Sequence, residues 1–262
     1  MGKDLRNHKG IMISVIIPYT DGDETRRSAF KTTLDCIKNQ TYKDFELIIV
    51  EMLFTEPTKL NIENCRHIIV RYENLEGKKK EDTKFNKSWC VNVGVRNSNY
   101  DHCLMLDADI SFPNNYFEQL VDYSNENKYQ FFMGFENLII SKGRDNPEER
   151  LRSYKIAKMA GVSWFVEKKF FKDIGAMNES YFGYGAEDND FWERANFVLR
   201  EIYALPVNIT HIYHHWHPKE SNFPLNTERI EIFNQVKHNI PEAIDKLQHC
   251  NWGSKKPQRI YF

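Results

Sequence analysis

The feature that most constrains this chain is a recurring order of segments: a short apolar run, a turn-rich stretch, a helix-spaced segment, then another short apolar run. Met12–Ile17 is apolar and closed by Pro18, and the turn-rich Tyr19–Glu24 follows it. Thr25–Asn39 then carries Phe30, Leu34 and Ile37 near helical spacing, and Phe45–Val50 is a second apolar run. Runs this short, without alternation, read as strands buried on both faces, and their order is that of a β-α-β unit. The order repeats with a strand expected at His67–Arg71, a helix through Lys84–Val95 and a strand at His102–Leu106. The expected fold is therefore α/β, a mostly parallel central sheet flanked by helices. Such sheets bind ligands beyond the carboxyl ends of their strands, which directs attention to Tyr19–Asp23, Glu51 and Asp107–Asp109.

The second half alternates less regularly. Asn114–Glu126 reads as helix, Phe131–Ile140 and Val162–Val166 as strands, and Asp188–Arg200 as helix. Ile209–Tyr213 is expected to be a last central strand, and Thr227–Lys246 one or two surface helices interrupted at Pro241. At 262 residues the chain is expected to form one domain. It divides into a nucleotide-binding half over about 11–110, an acceptor and catalytic half over about 111–220, and C-terminal helices over 221–262. Lys78, Lys79 and Lys80 fall in a polar stretch that reads as a solvated loop.

Charge narrows the partners. With 36 Lys and Arg against 37 Asp and Glu, no global field exists to gather nucleic acid or an anionic membrane. No apolar stretch approaches the ~20 residues of a membrane span, and the first ten residues lack a signal's apolar core, so the expected compartment is the cytoplasm. The five cysteines are scattered without a C-x-x-C pair, which suggests free thiols and neither disulfides nor a cysteine zinc site.

Three motifs carry chemistry. Asp107-Ala108-Asp109 directly follows an apolar run, and in an extended segment both carboxylates point the same way at the sheet's carboxyl edge. Their oxygens suit Mg²⁺ or Mn²⁺, although a turn or helix-capping role explains a bare D-x-D equally well. A calcium-loop reading of Asp107, Asp109, Ser111 and Glu118 fails because Phe112 stands where glycine is needed. The second motif is Gly183-Tyr184-Gly185-Ala186-Glu187-Asp188-Asn189-Asp190. Acidic residues favour any helix start, but the flanking glycines suggest Tyr184 as a sugar platform with Glu187 and Asp188 at a cleft. The third is His211-Ile212-Tyr213-His214-His215-Trp216-His217, four histidines in seven residues, a density that suggests a metal ligand. Strand alternation puts His214 on the face opposite His211, His215 and His217.

Together these segments resemble the family 2 type of glycosyltransferases with the GT-A fold. The second half looks like that of β1,4-galactosyltransferases and bacterial chondroitin polymerases. The resemblance rests on Ser14-Val15-Ile16-Ile17-Pro18-Tyr19, Asn39–Val50, Phe85-Asn86-Lys87, Asn92-Val93-Gly94, Asp107-Ala108-Asp109 and Asp173–Asp188. It implies a metal-dependent, inverting transfer of a sugar from a nucleotide diphosphate donor, a UDP-sugar, to a carbohydrate acceptor in polysaccharide or glycan synthesis. It implies Asp188 as the base, with Glu187 on donor or acceptor hydroxyls. Pro18, Tyr19, Glu51, Lys87, Asp107 and Asp109 would line the donor pocket. Asp109, His214 and His211 would bind Mn²⁺ or Mg²⁺, and Tyr184, Gly185 and Trp164 would meet the acceptor. Thr20-Asp21-Gly22-Asp23 stands where the galactosyltransferases have an arginine, leaving Arg26 or Arg27 for a phosphate contact. Peripheral association with a membrane glycan-assembly system fits such a role. The rival readings are a non-catalytic carbohydrate-binding protein on the same fold, with Tyr184, Trp164 and Trp216 as stacking surfaces, and a metal-dependent hydrolase using the histidines.

Overall fold

The computed structural model describes residues 10–53, 56–60, 62–71, 85–140, 152–155, 161–183, 185–206, 209–215 and 227–255. The first half alternates as the sequence dictates: β1 (Ile13–Tyr19), α1 (Glu24–Lys38), β2 (Phe45–Met52), β3 (Cys65–Val70), α2 (Lys87–Arg96) and β4 (His102–Leu106). β1 lies between β2 and β4, parallel to both, and β3 continues the parallel order beyond β2. Pro18 is tolerated within β1 because pairing with β4 ends at Ile16, so no partner on that side needs its missing N–H.

The later elements are β5 (Ile110–Ser111), α3 (Tyr116–Asn127), β6 (Phe131–Met133), β7 (Asn137–Ile140), β8 (Arg152–Lys155), β9 (Ser163–Glu167), α4 (Lys168–Asp173) and α5 (Glu187–Leu199). They are followed by β10 (Tyr203–Ala204), β11 (Ile212–His214), α6 (Thr227–His238) and α7 (Ile240–Gln248). A seven-stranded mixed sheet runs β10-β6-β9-β4-β1-β2-β3, and a four-stranded one runs β5-β11-β7-β8.

Three expectations are corrected here. Phe131–Ile140 is not one strand: β6 stays in the large sheet while β7 joins the small one. Ile209–Tyr213 is not a last central strand, because β11 pairs with β5 and β7 in the small sheet. The break before the last helix falls at Asn239, which caps α7, and Pro241 sits in its first turn, where a missing N–H costs nothing. The stretch holding Lys78–Lys80 lies outside the described residues.

Packing brings the two halves of the chain to one edge of the large sheet. β9 runs antiparallel to β4, with Ser163 opposite Leu106, so the segment entering β9 arrives at the edge where β1 and β4 end. α2 is buried from Ser88 to Val95 and capped by Asn86, whose side chain accepts from the Trp89 amide at 2.9 Å. A cap of this kind stabilises a helix by about 1 kcal/mol, and it sets Lys87 at the helix's first position. Phe191 of α5 stacks on Trp164 of β9 and meets Phe131 of β6 edge-on. Each such pair adds about 0.5–1.5 kcal/mol beyond area burial, and the cluster pins α5 to the sheet. Among the described residues no helix is long and apolar enough to cross a membrane.

Candidate active site

Chain elements from both halves meet at the carboxyl edge of β1 and β4. The Lys87 ammonium lies 2.7 Å from Asp107 Oδ1 and 3.1 Å from Asp188 Oδ2, and donates to the Gly161 carbonyl at 3.0 Å. Three acceptors thus match its three protons. Pro18, Val91, Met105, Leu106, Trp164 and Met177 complete the wall of the small cavity around this cluster. Burial works against the Lys87 ammonium, but Asp107 and Asp188 outweigh it and hold the group above the ordinary lysine range. Asp107 is pushed up to about 6 by burial, opposed by Lys87 and reinforced by Asp109 and Asp188. Glu187, 7% exposed, is pushed up to about 8 by burial and by the neighbouring Asp188.

Asp188 is served by one oxygen only. Oδ2 faces Lys87, whereas Oδ1 is buried and has no hydrogen-bond partner among the described residues. A buried unsatisfied carboxylate oxygen is costly, and here it is the atom free to receive a proton. α5 brings Asp188 there through an unusual start: Ala186 at its N-cap is left-handed, with φ 77°, and offers no side-chain cap. Glu187, Asp188 and Asp190 in the first turn suit the helix dipole instead.

The two aspartates after β4 do not act as a strand pair. The chain turns at Ala108–Asp109, so Asp107 meets Lys87 while Asp109 faces His214, with 3.5 Å between Asp109 Oδ1 and His214 Nε2. Extended alternation therefore gave the wrong geometry, and the two carboxylates meet different partners. The His215 amide donates to the Asp109 carbonyl at 2.8 Å, which ties the end of β11 to this turn. Burial lowers the His215 imidazole below the usual histidine range. His211 precedes β11 and is exposed, as Tyr213 is, whereas His214 is half-buried beside Asp109.

Other expected site residues take different places. Trp164 is 2% exposed with one ring face against Phe191, so although it borders the cavity it offers no open platform for a sugar. Tyr19 is 3% exposed and stacked on Phe30 at 4.0 Å, which removes its ring from any nucleobase. Glu51 is fully buried, and its carboxylate accepts from the Thr58 amide and hydroxyl and bonds His67 Nε2 at 2.8 Å. It orders the β2 end from behind. Arg27 is engaged by Asp21 at 2.8 Å. Gly185, with φ 97°, borders open space, while Tyr184, Trp216 and His217 lie outside the described residues. Sequence reasoning missed Gly161, which nothing in its neighbourhood marks out.

The family model for glycosyl transferase family 2 matches residues 14–180, more than half of the chain. The chain belongs to that family. Family 2 membership accords with its similarity to the amylovoran biosynthesis glycosyltransferase AmsB of Erwinia amylovora, 33% identical over 105 residues, 38% of this chain and 32% of that protein. β-1,4-Galactosyltransferase 4 of Homo sapiens is 26% identical over 176 residues, covering 66% of this chain and 46% of that one. The chain spans between about a third and a half of the length of these relatives. Among solved structures, GalNAc-T7 with UDP, GalNAc and Mn²⁺ superposes with a TM-score of 0.62 at 12% identity, covering 88% of this chain and 48% of that one. S. aureus TarS gives a TM-score of 0.55 at 15% identity, covering 90% and 42%. At such identities the likeness establishes the GT-A fold alone.

Asp109 and His214 are the residues of this family 2 chain that fit a divalent cation. Donors in adjacent octahedral positions stand about 3 Å apart, close to the separation seen, and an oxygen-nitrogen pair suits Mn²⁺ better than Mg²⁺. Among the described residues no three His, Cys, Asp or Glu side chains group into a complete cage. Among the described residues this pair would supply two ligands to such a cation.

Proposed function

We propose that this protein is an inverting, metal-dependent glycosyltransferase moving a sugar from a UDP-sugar to a hydroxyl of a carbohydrate acceptor. The observation that carries the reading is that Asp107 and Asp188, from opposite halves of the chain, share one lysine in one cavity at the carboxyl edge of β4. A hydrolase centred on the histidines has less support, since among the described histidines His214 meets Asp109, while Lys87 and Asp188 form the charged cluster of the cavity. The UDP and Mn²⁺ of the GalNAc-T7 structure are consistent with the donor and the cation. The biosynthetic role in AmsB's name favours an acceptor in glycan synthesis.

A divalent cation held by Asp109 and His214 would supply neutralisation of the charge that develops on the departing diphosphate. The chain's own groups do the rest. Asp188 Oδ1 accepts the proton of the acceptor hydroxyl while Lys87 fixes Oδ2 and so the carboxylate plane. The acceptor oxygen bonds to the anomeric carbon as the bond from that carbon to the diphosphate oxygen breaks, and attack from the opposite face inverts the configuration. Glu187, whose burial favours its protonated form, donates a hydrogen bond to a sugar oxygen. Asp107 and Lys87 bear on the donor's polar groups beside Pro18.

The test is Asp188→Asn. Transfer to a carbohydrate acceptor should fall by about 10²–10⁴-fold, the usual value of a positioned base, while UDP binding in Mn²⁺ stays within twofold. Retained transfer, or lost UDP binding, contradicts the assignment.

A further inference from the structure

The segment that leads into α5 is held from behind by the end of the described chain. Glu179 is 1% exposed, and its Oε1 accepts from Asn92 Nδ2 at 2.8 Å and from the Gly253 amide at 2.6 Å. Its carbonyl accepts from Asn86 Nδ2 at 2.8 Å. Asn92 makes two more bonds, donating to the Met177 carbonyl at 2.8 Å and accepting from the Met177 amide at 3.0 Å. On the far side Asn178 donates to Asp190, and Arg194 joins Asp190 to the Ala176 carbonyl. The stretch from Ile174 to Gly183 is thus clamped between α2, whose first residue is Lys87, and α5, whose second is Asp188.

The clamp is closed by residues that line no part of the cavity. Asn251 Oδ1 and the Trp252 carbonyl accept from Arg96, the Ser254 carbonyl accepts from Trp89 Nε1 at 2.8 Å, and Trp252 meets Phe171 edge-on. Gly253 is left-handed, with φ 64°, and a Cβ there would stand 2.6 Å from the Asn92 carbonyl oxygen. Only glycine lets its amide reach a carboxylate buried this deeply.

We propose that Asn251–Ser254 is a positioning latch for the catalytic carboxylate, with Glu179 as the positioning residue through which it acts. By closing on Glu179 and Asn92 the segment fixes Met177 in the cavity wall and sets the distance between Lys87 and Asp188. This rests on Asp188 being the base. The bonds that close the clamp reach neither Asp109 nor His214, so loosening it is expected to move Asp188 and leave the pair that would hold the cation in place.

The experiment compares Gly253→Ala, Glu179→Ala and Glu179→Gln with Asp188→Asn in the whole protein. It measures kcat for transfer, KM for the donor, UDP binding in Mn²⁺, and circular dichroism. Gly253→Ala and Glu179→Ala should stay folded, bind UDP within twofold of the native protein and lose about a hundredfold in kcat, the usual effect of an ångström's misplacement. Glu179→Gln keeps the accepting oxygen and should restore kcat to within a fewfold. Native kcat in Gly253→Ala, or kcat and UDP binding falling together, overturns the latch. A Gly253→Ala chain that fails to fold also overturns it, since the segment is then a folding element; if Glu179→Ala alone fails to fold, Gly253→Ala decides. Native transfer in Asp188→Asn refutes the underlying reading, whereas an inactive Asp188→Asn beside a fully active Gly253→Ala refutes the latch only.

Discussion

Gly161→Ala places a single methyl against the base. Gly161 precedes β9, and a Cβ built there falls 2.0 Å from Asp188 Cγ and Oδ2 and 2.2 Å from Oδ1. Carbon atoms in contact stand about 3.5–4.0 Å apart, so the carboxylate must retreat by roughly 1.5 Å. Its bond to Lys87, 3.1 Å in the native protein, breaks in that retreat, whereas the 2.7 Å contact of Lys87 with Asp107 has no reason to change. A displacement of this size costs about a hundredfold in rate, which is about 2.7 kcal/mol on the barrier. Steady-state transfer should show the loss in kcat, and calorimetric titration should show UDP binding in Mn²⁺ unchanged within twofold. In an Asp188→Asn background the alanine should add nothing, because both changes remove the same function. A Gly161→Ala protein with kcat within threefold of native, or an additive loss in the double variant, refutes the geometry on which the catalytic assignment stands.

Further expectations concern the cation pair, a buried acid and the clamp. His214→Ala should raise the Mn²⁺ concentration needed for UDP binding by tenfold or more while His211→Ala leaves it unchanged; equal effects would reject the pairing of His214 with Asp109. Glu187 is raised from an ordinary 4.5 to about 8, so the folded state binds more protons than the unfolded one across that window. Stability should accordingly fall as pH rises from 4.5 towards 8 and level off above it, and thermal melts of Glu187→Gln against native should show that component of the fall removed. Asp190 and Arg194, both fully buried, form a 2.5 Å ion pair, and Asp190→Ala leaves the guanidinium uncompensated. A loss of about 3–5 kcal/mol is expected in denaturant melts, and a loss under 1 kcal/mol would show that the pair is not the clamp's anchor.

The β-α-β order was legible because burial on both faces writes itself into Ile13–Ile17, Phe45–Val50 and His102–Leu106 as runs without alternation. The division of Phe131–Ile140 was not, since Phe131-Phe132-Met133-Gly134-Phe135 is apolar throughout and the break is made by distant partners. Tyr116 donates to the Gly134 carbonyl and the Gly134 amide donates to Ser163. The Asp107-Ala108-Asp109 motif showed which residues matter but not their directions, because strand alternation does not hold through a turn. Parity did separate His214 from His211, and the structure puts His214 beside Asp109. Trp164 misled because an aromatic ring at a cleft and one in the core share the same letters, and only packing on Phe191 distinguishes them. The role of Gly161 and the bonds joining Asn92, Glu179 and Gly253 are tertiary contacts between residues far apart in the chain, without a local pattern to announce them.

Transfer by this site requires that a diphosphate be received through a cation at Asp109, beside the cavity that holds Asp188. Calorimetric titration of UDP into the native protein and into Asp109→Ala, each with Mn²⁺ and with chelator, measures this directly. Binding by the native protein that requires Mn²⁺ and is lost in Asp109→Ala is the result expected, and equal affinity in all four titrations would rule out a cation-held diphosphate at Asp109.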